Sequence, residues 1–367
     1  MKNPCPDRLF SLDALRGFDM FWIIGGGGLI HGLHQLWGGS VLESLSRQMN
    51  HVPWNGFHFQ DLIFPLFVFI TGIAIPFSLS KRWSSGSAQR AVYLRILRRA
   101  LLLYLLGLIY NGAPAAGSLS NVRFVGVLPR IALCYLASSL LFLHLSHRNQ
   151  GFFCLFLLAL YWCLMKHIPV PGHGAGVLTP EGNLAAFVDS RILPGRLHAG
   201  SWDPEGLLST LPAISTCLLG VLAGHWLRSS NTQTVKALGL IAGGMIGVLV
   251  GRFLDPFFPI NKALWSPSFV LLTAGYSALL LGFFYGIMDV FGFKKWAFFF
   301  VVIGMNPITI YMLHHVLSLG SGLDHVAGDQ LFTFLKDGRR LVIEVLNMTA
   351  KWLFLYALYW KGLFLRV

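Results

Sequence analysis

The sequence predicts an all-α, polytopic integral membrane protein with about ten transmembrane helices in one bundle. Of its 367 residues, 55% are hydrophobic and only 12% are charged, whereas soluble domains carry about 25% charged residues. The mean hydropathy is +0.63, and the chain contains 30 Phe, 11 Trp and 10 Tyr. These values exclude disordered, collagen-like and coiled-coil proteins, and the lipid bilayer is the expected partner of the apolar surface.

Ten segments are apolar over a length close to the roughly 20 residues that a spanning helix needs. They lie at residues 12–31, 57–79, 94–111, 125–143, 151–166, 206–227, 236–253, 266–288, 296–315 and 341–360. We find no repeat and no appended soluble domain, so residues 1–367 are expected to form a single transmembrane domain. The first segment contains Asp13, Arg16 and Asp19 and lacks a cleavage site, so we expect it to remain on the mature protein.

The basic residues predict the orientation of the chain. The 28 Lys and Arg residues exceed the 15 Asp and Glu residues, which in a soluble protein would suggest nucleic acid, but in a membrane protein the side on which they lie matters more. Six of them fall in one short connection: Lys81, Arg82, Arg90, Arg95, Arg98 and Arg99. The positive-inside rule therefore places both termini in the cytoplasm and the long connections 32–56, 167–205 and 316–340 outside. Function is expected where those loops converge, and no nucleic-acid partner is expected.

The first span carries three charges. Asp13 and Arg16 are three residues apart and can pair on one helix face, and intramembrane charges usually face a bundle interior or a water-filled cavity. Two interpretations stay open, a buried ion pair that fixes packing and a direct functional role. The run Gly25 to Gly28 indicates a close approach of backbone to backbone or to substrate.

The segment that begins at His51 precedes the second span and ends in Asp61-Leu-Ile-Phe-Pro. It brings an imidazole, aromatic rings, an amide and a carboxylate to one membrane boundary. His51 could serve there as a general base or nucleophile that Asp61 orients. Composition alone favours the simpler interpretation, in which Trp54 and Phe57 are interfacial anchors and His51 is an ordinary loop residue.

Polar residues also mark later spans. Arg130 lies about one turn into the fourth span, and Asn306-Pro307 is expected to kink or break the ninth, which ends near His314. Asp203 and Glu205 stand where we expect the sixth span to begin, and capping of an acidic helix N-terminus explains them well.

No metal or disulfide site is expected. The 13 His residues show neither HxxxH nor HExxH spacing. The five Cys residues show no CxxC spacing, and those in apolar runs are expected to be small core residues. The basic run at residues 81–99 has two interpretations: it contacts anionic lipid and sets topology, or it forms the mouth of a site for a polyanionic molecule.

Several blocks together resemble a known family. They begin at Arg8-Leu-Phe-Ser-Leu-Asp13 and continue with Trp54-Asn55-Gly56, Gly126-Val-Leu-Pro-Arg130, Trp202-Asp203-Pro204-Glu205-Gly206, Pro259-Ile-Asn261-Lys262-Ala-Leu-Trp265-Ser266 and Gly304-Met-Asn306-Pro307. In this order, over nearly the whole chain, they resemble the heparan-alpha-glucosaminide N-acetyltransferase family of transmembrane acetyltransferases. The expected form is the shorter, bacterial one without an N-terminal lumenal domain.

The resemblance implies an enzyme that takes acetyl-CoA from the cytosol and acetylates the amine of a glucosamine-type sugar on the opposite side of the membrane. It implies a location in the bacterial inner (cytoplasmic) membrane and suggests a homodimer. Acetyl-CoA enters as the acyl donor, and no metal is implied. Ile24 stands where the lysosomal enzymes have an asparagine. Either this chain lacks the polar group of that asparagine, or Asn55, His31 or Asn50 supplies it.

The resemblance implies functional roles for His51, Asp61, Arg16, Asn306 and His314. Together with further candidates named for their own chemistry, these residues form three expected sets. The catalytic set is His51, Asp61 and Asn55. The set that binds the acyl donor is Arg98, Arg99, Arg82, Arg130, Arg16, Asn306 and His314. The set that binds the acceptor is Trp54, Trp202, Asp203, Glu205 and Trp265.

Two further functions stay open: transfer of an acyl group to a sugar hydroxyl of an envelope glycan, and transport without acyl transfer along a path marked by the intramembrane charges. Within the acetyltransferase hypothesis, direct transfer in a ternary complex is favoured over an acetyl-histidine intermediate, because one site that holds both reactants gains entropically.

Overall fold

The computed structural model describes residues 9–84, 89–314 and 338–364, with the side chains of residues 81, 82 and 84 outside that description. The described chain is almost entirely helical, which confirms the all-α class. In chain order the helices are α1 (Phe10–Phe21), α2 (Gly27–Trp37), α3 (Ser40–Gln48), α4 (Phe59–Ser84), α5 (Gln89–Tyr110), α6 (Val127–His144), α7 (His147–His167), α8 (Leu184–Ile192), α9 (Thr210–Leu227), α10 (Gln233–Leu254), α11 (Pro267–Tyr285), α12 (Phe298–Gly304), α13 (Pro307–His314) and α14 (Arg339–Trp360).

The described strands form one short hairpin. Strand β1 (Pro169–Val170) pairs in antiparallel fashion with β2 (Gly174–Ala175), directly after α7. The register joins Pro169 to Ala175 and Val170 to Gly174. Helices α3 and α8 are the short helices of two long connections, so these loops are structured and can hold side chains in place.

Each of the ten predicted spans coincides with a helix or a helix pair. Within the described residues, seven helices are long and apolar enough to cross a membrane, and the bent pair α12–α13 makes an eighth if it is counted as one span. The other two predicted spans are helical but charged. The first, α1–α2, is broken and contains two Asp and one Arg, and α5 carries four Arg residues in its first half.

The first span is interrupted at its glycine run. Residues Trp22–Gly26 form a π-helical turn. Gly25 has a φ of +144°, a backbone conformation that residues with a Cβ rarely adopt. Earlier in the helix, a Cβ on Gly17 would lie 1.7 Å from the carbonyl oxygen of Phe300. Helices α1 and α12 therefore pack backbone against backbone, as small residues allow in membranes.

The ninth predicted span is broken as expected. Helix α12 ends at Gly304, α13 begins at Pro307, and the two axes differ by 66°. Pro307 has no N–H to continue the helical ladder. The side-chain amide of Asn306 donates from Nδ2 to the carbonyl of Leu363 at 3.1 Å, so the break has a polar partner from the end of the chain.

The contacts divide the chain into two compact units. The first comprises the described parts of Met1–Val52, His58–Ile63 and Phe283–Val367, and the second comprises those of Pro53–Phe57 and Phe64–Gly282. In the second unit, α4 and α9 pack tightly, since a Cβ on Gly72 would lie 1.9 Å from the carbonyl oxygen of Cys217. The single domain over 1–367 stays a prediction.

The second unit also fixes the segment between α10 and α11. Tyr161 of α7 donates its hydroxyl to the carbonyl of Leu264 at 2.7 Å, and Phe258 packs in the same buried cluster as Tyr161. This segment includes Asn261 and Trp265, so its rigidity positions two of the residues that the sequence singled out.

Candidate active site

The first unit brings His51 and Asp61 together. The Nδ1 atom of His51 lies 2.7 Å from Oδ1 of Asp61. Asp61 is in the first turn of α4, and its side chain is fully buried, while the side chain of His51 is 54% exposed. The structure therefore shows the contact on which the hypothesis of an oriented imidazole depends.

Backbone groups hold the Asp61 carboxylate. Its second oxygen, Oδ2, accepts the N–H of His58 at 3.0 Å and that of Val52 at 3.4 Å. The loop before α4 is tied down in turn, because the His58 ring bonds the carbonyl of Asn50 and the N–H of Phe59 donates to Oε1 of Gln48. The carboxylate is thus set before any substrate arrives.

This arrangement fixes the chemistry of the imidazole. An ionised carboxylate only accepts hydrogen bonds, so Nδ1 of His51 carries the proton in this contact. The neutral ring then presents a lone pair on Nε2, which is the form that a general base or a nucleophile needs. A buried acid that orients a histidine in this way follows the logic of catalytic triads.

The first unit contains a second polar cluster, which sequence reasoning missed. Lys351 of α14 donates from Nζ to the carbonyl of Ile24 at 2.8 Å, and the same Nζ lies 3.0 Å from Nδ1 of His314. Lys351 is 3% exposed. The pairing predicted in the first span is also confirmed, with Nη1 of Arg16 3.0 Å from Oδ1 of Asp13.

The second unit gathers two carboxylates, those of Asp203 and Glu205, around Arg123. Its guanidinium makes a bidentate contact with Asp203, at 2.8 and 2.7 Å, and a third with Oε2 of Glu205 at 2.5 Å. Asp203 also accepts the N–H groups of His198 and Glu205. Burial would raise the pKa of Asp203, but the bonds and charge of Arg123 outweigh it and lower that pKa.

This cluster overturns the capping interpretation. Helix α9 begins at Thr210, and its N-cap residue, Ser209, makes no side-chain cap bond. Asp203 and Glu205 precede the helix by several residues and bind Arg123 instead. Hydropathy could not reveal this, because apolarity begins before the helix does.

Arg130 lies beside the same loop. It is 1% exposed, and its Nη2 donates to the carbonyl of Gly206 at 3.0 Å and to the hydroxyl of Ser209. Its carbon Cζ lies 4.9 Å from the ring centre of Trp265. Within the described part of the chain, its Nε and Nη1 have no hydrogen-bond partner, so two nitrogen atoms of a buried guanidinium keep unused N–H donors.

Trp265 is a core residue in this structure. It is 1% exposed, has a φ of +52°, and donates from Nε1 to the hydroxyl of Thr216 at 3.0 Å. Phe64 and Phe269 pack edge-on against its ring. Its ring therefore supports Arg130 from inside and does not lie at the surface.

The other two tryptophans lie together. The rings of Trp54 and Trp202 meet edge to face with centres 5.1 Å apart, and Trp54 donates from Nε1 to the carbonyl of Leu178 at 2.9 Å. Both rings are partly exposed. Next to them in the chain, Asn55 accepts from Nδ2 of Asn261 at 3.0 Å, so the second unit holds Asn55.

The arginines assigned to the acyl donor differ in environment. Arg98 is exposed on α5, whereas Arg99 lies over the ring of Tyr135 at 4.5 Å. Nε of Arg99 is buried and makes no hydrogen bond with the described residues. Arg82 is in α4, but its side chain lies outside the described part of the structure.

Sequence reasoning missed the partners of these groups. Arg123, Asn261 and Lys351 lie 80, 206 and 327 residues from the atoms that they bond. In the sequence, Arg123 is a basic residue just outside a predicted span, and Lys351 is a charged residue inside the predicted span 341–360. The charge of Lys351 inside a predicted span was the signal that could have revealed this residue, since charged residues within a membrane are costly and usually functional.

The fold and this chemistry define a class: a polytopic helical membrane protein with a carboxylate-supported histidine at the start of a span. The family model described as heparan-alpha-glucosaminide N-acetyltransferase, catalytic, matches residues 8–252. Heparan-alpha-glucosaminide N-acetyltransferase of Mus musculus is 30% identical over 86% of this chain, and that of Homo sapiens is 29% identical over 99%. The chain belongs to this family. It spans 56% and 60% of the length of those two relatives.

Proposed function

We propose that this protein is a transmembrane acetyltransferase that transfers the acetyl group of cytosolic acetyl-CoA to the amine of a glucosamine-type sugar on the outer side of the membrane. Family membership supports the reaction class. The observation that carries the proposal is the pair formed by exposed His51 and buried Asp61, because amine acylation needs a base where the amine attacks.

The reaction follows from the tautomer of His51. Its Nε2 takes the proton of the sugar amine as the nitrogen attacks the thioester carbonyl and the new C–N bond forms. The C–S bond then breaks, and the departing CoA sulfur takes up that proton. Asp61 stabilises the imidazolium that exists between these two events. Direct transfer in a ternary complex uses the entropic advantage of one preorganised site.

The donor enters from the cytoplasmic side in this proposal. Its phosphates remain at the mouth, near Arg98, Arg99 and Arg82, because desolvation of several charges costs more than burial returns. Guanidinium groups suit phosphate geometry. The pantetheine arm then carries the thioester inward, where Arg16, Asn306 and His314 are proposed to line its path.

The acceptor is bound on the outer side by residues of the second unit. The partly exposed rings of Trp54 and Trp202 supply apolar faces for a sugar, and Asp203 and Glu205 shape the loop through Arg123. Arg130 was expected to bind the acyl donor; we propose instead that it belongs to this acceptor region, because it contacts Gly206 and Ser209. Trp265 supports Arg130 from the core.

One assay tests the reaction and separates the alternatives. Protein purified in lipid nanodiscs is incubated with radiolabelled acetyl-CoA and glucosamine, and the product is identified chromatographically. The proposal expects N-acetylglucosamine. An alkali-labile O-acetyl product would establish the hydroxyl acyltransferase instead, and the absence of transfer to any amino sugar or glycan tested would favour a transporter.

Two variations of that assay test the finer points. Labelled protein formed without acceptor would establish an acetyl-histidine route, whereas a ternary complex predicts that label leaves acetyl-CoA only when acceptor is present. In proteoliposomes, acetyl-CoA should act only from the face that carries both termini, and the product should appear on the other face.

A further inference from the structure

A buried lysine joins three helices of the first unit. Nζ of Lys351, on α14, contacts the carbonyl of Ile24 in the first span and Nδ1 of His314 at the end of α13. The residue is 3% exposed. An ammonium group removed from water requires partners of this kind, and these two belong to different polar features of the membrane domain.

The first partner lies at the break of the first span. Ile24 directly precedes Gly25, whose φ of +144° interrupts the helix. Irregular backbone at membrane depth is tolerated only where protein or water satisfies its polar groups. Lys351 supplies a charged donor at this point, and a bond to a charged group is stronger than one between neutral groups.

The second partner is a histidine whose tautomer the contact determines. Lys351 in its ammonium form has three donors and no acceptor, and Nδ1 of His314 then accepts from it. The proton of the neutral ring is then on Nε2, and His314 acts as a donor through that atom. Nδ1 of His51, in contrast, carries its proton. The two histidines of the first unit are therefore held in opposite tautomers.

A carboxylate on the same helix lies near this cluster. Glu344 packs against the glycine run, since a Cβ on Gly28 would be 2.6 Å from its Oε1. His314 is a second titratable group of this cluster and contacts Lys351 directly. The close approach of Glu344 depends on the absence of a side chain at Gly28.

The glycine run also reaches the segment of His51. A Cβ on Gly27 would lie 3.5 Å from Cβ of Met49, two residues before His51. The glycine run therefore lies beside the loop that carries the His51–Asp61 pair.

We propose that Lys351 is a positioning residue, which locks the break of the first span at Ile24 and holds His314 in the neutral form protonated at Nε2. Its effect on acetyl transfer rests on the proposed function, whereas its effect on the His314 ring does not. This lysine thus couples the geometry of two histidines without contact with the reacting atoms.

The test is ¹⁵N NMR of histidine-labelled protein in nanodiscs, with the His314 signals assigned by comparison with His314→Gln. In the unsubstituted protein we expect Nδ1 to be unprotonated and Nε2 protonated. Lys351→Met should lose this single form and reduce kcat at least tenfold with a smaller change in KM. Lys351→Arg should restore the tautomer, and Lys361→Met, at the exposed end of α14, should change neither property.

Protonated Nδ1 of His314 in the unsubstituted protein would overturn the proposal, as would an unchanged His314 spectrum in Lys351→Met. If Lys351→Met fails to fold, the spectra of the unsubstituted protein and of Lys351→Arg still decide. Absence of transfer in every sample, with the expected tautomer present, would refute the proposed function and leave the role of Lys351 standing.

Discussion

The two units use buried carboxylates differently. In the first unit, Asp61 is buried and bonded, and its partner His51 remains 54% exposed. In the second, Arg123, Asp203 and Glu205 have side chains only 15%, 0% and 11% exposed, and the charges largely compensate one another. A polar pair can react with a substrate when one member is held and the other is accessible, whereas a mutually satisfied cluster mainly holds a loop in shape.

The strongest test of this contrast is His51→Ala. Loss of a general base lowers rates by about 10²- to 10⁴-fold, and we expect the upper part of that range in kcat. The melting temperature should fall as well, because the fully buried Asp61 loses its bond to His51. His167→Ala, at the exposed end of α7, is the matched control and should retain full turnover. Full turnover in His51→Ala would remove His51 from the mechanism.

Asp61→Asn should have the next largest effect. The amide offers donors where Nδ1–H needs an acceptor, so the imidazole loses its fixed tautomer, and we expect kcat to fall by about 10²-fold. The ring is still present, so the loss should be smaller than in His51→Ala. Glu43→Gln, an exposed change in α3, controls for the loss of one carboxylate. Equal rates for Asp61→Asn and the parent would show that orientation is not needed.

Arg123→Met should act on stability rather than on the chemical step. Removal of one partner from a buried ion pair leaves uncompensated charge and costs about 3–5 kcal/mol, here at Asp203 and Glu205. Thermal unfolding in nanodiscs should shift downward by several degrees, and KM for the acceptor should rise more than kcat falls. Arg196→Met, on an exposed side chain of the same region, should leave both unchanged.

The smallest effect concerns pH and Asp189. Burial raises its pKa to about 6, against the opposing effects of the N–H of Leu207 and the charge of Arg130. The folded state therefore holds this proton more tightly than the unfolded chain does, and stability falls as pH rises from about 4 to about 6. A shift of about two units corresponds to roughly 3 kcal/mol at most.

Melting temperatures measured across this pH range test the Asp189 prediction. The parent should become less stable towards neutral pH, and Asp189→Asn should flatten that dependence by a few degrees. A parent curve that rises over the same interval, with an unchanged slope in the variant, would contradict the prediction.

Local patterns predicted most of the helices and several contacts. The break at Asn306-Pro307 and the pair Asp13–Arg16 depend on residues close together in sequence. His51 and Asp61 are only ten residues apart, so one loop and one helix start bring them together. The interruption at Gly25 was only partly visible, as a glycine run that indicated close packing without indicating a π-helical turn.

The failures involve distance along the chain. Asp203 and Glu205 read as helix caps because their partner, Arg123, lies about 80 residues earlier. Trp265 was expected to bind the acceptor, yet it is 1% exposed, and it contacts Thr216, Phe64 and Phe269. The residues that neighbour Asp203, Glu205 or Trp265 in the sequence do not indicate these distant contacts.

The sequence alone determined that this protein lies in a membrane, is helical and presents a histidine near a span, because apolar length and short spacings are local properties of a chain. Only the tertiary structure decided which charges are paired with each other and which side chain of a pair remains exposed. The reason is physical: the cost of a buried charge depends on the groups that surround it, and those groups come from helices far apart in sequence.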